Sequence, residues 1–216
     1  MPENPSEPRH YDVVLGGKTP PPLTGAVLGG LAGVKQRLRS TVAEHRIAAL
    51  MEAPHYGEAG LDLIIQALDD KAEQVRDTAC ILLQGKLAKL TLLKKDVATW
   101  NKWRAHSIRL EEGINVDLSA VNLSGFNLSG FNFSSANLMG ANLSGANLRG
   151  ADLKGANLSE ANLSGADLTQ TNLTFAGFWN ADLRQANLTE ANLTQADLRR
   201  ANLGGAIMAD GTVHDE

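Results

Sequence analysis

The sequence predicts an α+β chain of two modules, a helical N-terminal half and a C-terminal half built as a stacked coil of short extended pieces. Three observations carry this. Residues 116 to 210 divide without a gap into 19 five-residue units. Residues 25 to 94 space their apolar side chains three and four apart, the rhythm of helices with one buried face. The whole chain has 216 residues, 43% hydrophobic and 20% charged, enough apolar matter for one or two cored domains.

The five-residue units are strict. Their third residue is Leu in 16 of 19, with Phe133, Phe178 and Met208 completing the column. Their first residue is Ala in 14, the exceptions being Val116, Val121, Phe126, Phe131 and Thr171. The second is Asn in 12 and Asp in five, broken at Gly177 and Ile207. Within a unit the Ala and Leu lie two apart and share one face of an extended chain. The next Ala comes three residues later, so both columns stay inward only if the chain bends once per unit. The Ser-Gly, Arg-Gly and Lys-Gly pairs that follow Leu suit such bends. Repeated bends in one sense close into a coil, and stacked coils pair their backbones at about 4.8 Å.

Units such as Ala141-Asn142-Leu143-Ser144-Gly145 resemble the pentapeptide repeat family, A-[DN]-L-x-x. The resemblance implies a right-handed quadrilateral β-helix with four units per coil, hence nearly five coils and a height of roughly 23 Å at the sheet spacing. It implies little about activity.

Ahead of the coil, helical spacing runs through Val27, Leu28, Leu31, Val34 and Leu38, then Val42, Ile47 and Leu50, then Leu61, Ile64, Ile65 and Leu68, then Val75, Ala79, Leu82 and Leu83. Residues 44–50 and 74–80 align at a spacing of 30. With Leu68-Asp69-Asp70, Val75-Arg76 and Ala79, this half resembles short HEAT-like repeats of the phycobilin-lyase type, and the combination is cyanobacterial in look. The expected organisation is an extended segment over 1–24, a helical domain over 25–94, a capping helix and linker over 95–115, the coil over 116–210 and a tail over 211–216. Trp100 and Trp103 share a helical face. An uncovered coil end exposes strand edges and the Leu stack, and the bulky Phe126, Phe131 and Phe133 all fall in the first coil. These five aromatics are expected to form a structural cap. The C-terminus has no such helix: either it turns back over the last coil, or two molecules stack there as a homodimer.

Candidate chemistry fails site by site. Gly17-Lys18-Thr19 ends like a phosphate-binding loop, but the required first Gly is Asp12, and Pro20-Pro21-Pro22 blocks the following helix. The five His residues are too scattered for metal-ligand spacing. Cys80 is the only cysteine; it rules out an internal disulfide and reads as buried and inert. Nine Asn-x-Ser/Thr sequons are by-products of the repeat. The Asn/Asp column reads as hydrogen bonding at the bends. No catalytic residue, cofactor or metal is expected, and the chain is not expected to be an enzyme. The formal net charge of −4 gives no drive toward nucleic acid or an anionic membrane. No apolar run approaches the roughly 18 residues of a span, and Met1–Pro8 lacks an apolar signal core. A cytoplasmic location is expected.

One stretch departs from the rule: Thr171-Asn172-Leu173-Thr174-Phe175-Ala176-Gly177-Phe178-Trp179-Asn180. The register turns Phe178 inward and Phe175 and Trp179 outward, with Met139 on Trp179's face two coils away. Phe175, Trp179, Asn180 and Met139 are therefore a candidate protein-binding patch, with local packing as the alternative. The resemblance also implies a rival function, imitation of DNA toward a type II topoisomerase. Residues 116–216 hold ten acids and five bases, but Asp152, Asp167, Asp182 and Asp197 fall on four different sides. A second rival is a bilin-related lyase or chaperone role for the helical half. The expected function is a non-enzymatic scaffold or adaptor with an unknown protein partner.

Overall fold

The computed structural model describes residues 29–110 and 116–215. The expected segment over 1–24, with Gly17–Thr19, lies outside the described residues, as do Val27 and Leu28. Six helices come first: α1 (Gly30–Arg37), α2 (Ala43–Glu52), α3 (Gly57–Gln66), α4 (Glu73–Leu82), α5 (Lys86–Lys95) and α6 (Val97–Arg109). The 30-residue spacing is visible in the bonding. Ser40 Oγ accepts the amide of Val42, and Asp70 Oδ1 that of Ala72. Arg46 Nη1 donates to Ser40 O at 2.8 Å, and Arg76 Nη1 to Asp70 O at 2.7 Å. The two loops before α2 and α4 are thus closed by equivalent arginines. Arg46, 3% exposed, also donates twice to the Asp70 carboxylate at 2.8 Å. Burial pushes that carboxyl up, but the Arg46 hydrogen bond and the Ala72 amide bring it below its ordinary value.

Helix α5 falls almost wholly within the expected helical domain, although no apolar spacing marks it. Its Leu92 and Leu93 are buried while Leu87 is exposed, so its apolar residues make no clean stripe to read. Cys80 is buried, and burial pushes its thiol up to about 12; it stays protonated and unreactive.

From residue 117 every second-position residue forms a parallel bridge to the one 20 residues on, Asp117 with Asn137 through to Asn187 with Ile207. Twenty residues is four units, so each coil has four sides. Among the described residues these are isolated bridges, and no continuous strand forms. The bends arrive too often for one. A side with a coil above and below still makes up to three backbone bonds to its neighbours, as with Leu143 N to Asn162 O at 2.7 Å, Gly145 N to Ser164 O at 2.9 Å and Asn142 N to Val121 O at 2.8 Å. At each corner the next unit's first amide returns to the Leu carbonyl, as from Ala146 to Leu143 at 3.0 Å. The fifth residue takes positive φ in all 18 units from 116 to 205. Gly holds eight of these positions at no steric cost; ten are non-glycine, Phe175 and Asn180 among them. The second-position side chain secures the bend, since its Oδ1 accepts the amide two residues on, as Asn142 does from Ser144 at 3.1 Å. The inward Ala and Leu pack as solid columns, with every third-position residue from Leu118 to Leu188 at most 1% exposed.

Candidate interaction surface

The first coil presents amides and carbonyls with no earlier coil to pair with. Helix α6, started by Asp96 Oδ1 accepting the Thr99 amide, answers them with side chains. Trp100 Nε1 donates to Asn132 O at 2.7 Å. Asn101 acts like a backbone amide: its Nδ2 donates to Gly130 O and its Oδ1 accepts Asn132 N. Arg104 Nη2 donates to Ser134 O at 2.6 Å, and Lys86 Nζ of α5 to Ser119 O at 2.6 Å. Burial holds the Arg104 guanidinium below its usual value. The Trp100 ring sits 5.2 Å from Trp103, 6.1 Å from Phe131 and 5.3 Å from Phe133. Phe126 stands apart from this cluster. Half-buried, it lines a groove of about 400 Å³ with Phe131, Asn127 and residues Leu93–Val97. It packs against the core and shares that groove with Val97 of α6, outside the ring contacts of Trp100.

On the coil wall Phe175 is 55% exposed, Met139 45% and Trp179 39%, while Phe178 is buried. The two outward aromatics flank one side of the coil. Trp179 and Asn180 occupy the next corner, in the ladder column that also holds Ser159 and Met139. Arg200 lies over the Trp179 ring, its guanidinium carbon 5.6 Å from the centroid, a cation–π contact. Neighbouring Arg199 is held by Asp197 at 2.7 Å, which brings that carboxyl down to about 2. The patch is apolar in the middle and basic at one edge.

Eight copies of the model for pentapeptide repeats match the chain, over residues 117–155, 151–189 and 178–210. A pentapeptide repeat protein from the Arabidopsis thaliana thylakoid lumen is 36% identical, over 46% of this chain and 69% of its own, with a TM-score of 0.25. One from Nostoc PCC 7120 is 39% identical, over 45% and 72%, with a TM-score of 0.25. The chain belongs to the pentapeptide repeat family. A further pentapeptide repeat protein, from the cyanobacterium Cyanothece 51142, is 31% identical over 51% of this chain and 97% of its own, with a TM-score of 0.20. No curated protein matches the chain. Pentapeptide repeat proteins are in general structural or interaction proteins. Among the described residues no helix is long and apolar enough to cross a membrane, and no three His, Cys, Asp or Glu gather as metal ligands.

Proposed function

We propose that this pentapeptide repeat protein is a non-enzymatic scaffold or adaptor that binds another protein through the wall of its coil, with the helical half as a HEAT-like module and the coil as the right-handed quadrilateral β-helix of its family. The observation that carries the reading is the exposure of Phe175, Trp179 and Met139 on a wall that is otherwise polar and charged. Large aromatics on a rigid support are the residues that dominate protein interfaces. The Leu-filled interior leaves no room for a substrate. The rival reading as a DNA mimic is weakened by Asp152, Asp167, Asp182 and Asp197, which occupy four different ladder columns and so form no single acidic stripe. The proposed location is the cytoplasm, which cell fractionation tests.

Trp179→Ala and Phe175→Ala should leave the melting curve of the protein nearly unchanged and abolish recovery of the partner that the unaltered chain retrieves. Recovery that survives both changes sinks the reading. We also infer that the last coil pairs with a second copy. In support, Leu193, Leu198 and Leu203 are only half-buried, whereas the same column is closed elsewhere. Light scattering should give twice the monomer mass.

A further inference from the structure

One ladder column on the aromatic side reads Asp117, Asn137, Asn157, Gly177 and Asp197, each bridged to the next. At Gly177 the outward side chain is gone. Nothing in the backbone requires this, since Gly177 is not in the left-handed region and a Cβ built there meets no atom within 4 Å. The glycine also weakens its own unit. Asn157 accepts the amide of Ser159 at 3.1 Å and Asp197 that of Arg199 at 3.1 Å, but Gly177 has no oxygen to offer the Trp179 amide. A local rule broken against stability, with no steric return, marks a position held by function.

What the missing side chain leaves is a gap. Its floor is bare backbone at Gly177, and Phe175 and Trp179 stand at its two sides. Asn157 and Asp197 lie one coil above and one below, about 9.6 Å apart at twice the sheet spacing. Arg200, stacked on Trp179, makes no ion pair among the described residues, in contrast to Arg199. The one acid in Arg200's corner column is Glu160, two coils above it, and Asp197 in the same coil is engaged by Arg199.

We propose that Gly177 floors a socket for a single apolar side chain from an extended segment of a partner protein, with a carboxylate on that segment meeting Arg200. The apolar walls fit the side chain, and the unpaired guanidinium at the rim fits the acid. This rests on the reading of the wall as a protein-binding surface and adds the chemistry of what it takes. A phage-displayed library of random dodecapeptides, selected on the full chain, should enrich an apolar residue closely followed by Asp or Glu. A synthetic copy of the leading peptide should bind Gly177→Asn about tenfold or more weakly than the unaltered chain, although that variant should melt no lower. Arg200→Glu should weaken the acidic peptide and spare its amide version. Peptides lost on Trp179→Ala yet bound normally by Gly177→Asn would remove the socket and leave the surface standing. Indifference to all three variants, or a selection that enriches nothing, would remove both.

Discussion

The first and last coils face one physical problem, an exposed edge of unpaired backbone groups over an open leucine column, and they handle it differently. At the first coil, side chains of α5 and α6 bond to Ser119, Gly130, Asn132 and Ser134, and Trp100 and Trp103 bury the column completely. At the last coil, among the described residues, only the tail turns back. Val213 pairs antiparallel with Ile207, and His214 exchanges bonds with Gly205 and Ala206 at 2.7 and 2.8 Å. That covers the side nearest the tail and leaves the others. A helix with the right side chains finishes a coil; a short hairpin finishes a quarter of one.

The strongest way to break the contrast is Trp100→Ala. It removes a side chain that is 0% exposed, with its bond to Asn132, and should cost about 3–5 kcal/mol in urea unfolding. A loss under about 1 kcal/mol would show that α6 merely rests on the coil. Next comes a matched pair within the leucine column. Leu148→Ala, at a fully buried site, should cost about 2–5 kcal/mol, and Leu198→Ala, half-buried near the open end, about half as much or less. Equal losses would mean that the last coil is as tightly closed as the middle. The smallest stability effect belongs to Leu203→Glu, within about 0.5–1 kcal/mol at a half-exposed site. This change should nevertheless turn the proposed dimer into a monomer by light scattering, and an unaltered mass would place the second copy elsewhere or nowhere.

The coil was legible because its period repeats the same chemistry 19 times, so single exceptions could not hide it. The Asn/Asp column was legible for the same reason, as a bend-securing acceptor. Trp100 with Phe131 and Phe133 could be paired in advance because a leucine stack needs a lid of matching bulk. Phe126 packs against the core in the groove beside α6 and outside the Trp100 ring cluster, a distinction that bulk alone does not make. Asn101, Arg104 and Lys86 left no signal at all: a polar residue on a helix looks the same whether it faces water or an orphaned carbonyl 30 residues away. Helix α5, with its scattered leucines, was hidden because its burial comes from tertiary neighbours on two sides. The bend once per unit was legible too, and it limits each extended piece to a single bridge.

The 20-residue interval between bridged positions constrains how such a chain can change in length. Insertion or loss of a whole turn leaves every later residue in the same column and merely lengthens the rod. Gain or loss of one unit rotates everything after it by a quarter-turn, carrying Phe175 and Trp179 onto a different flank from Met139. Length can therefore drift in this fold only in steps of one lap if the relation between distant surface features is to be kept.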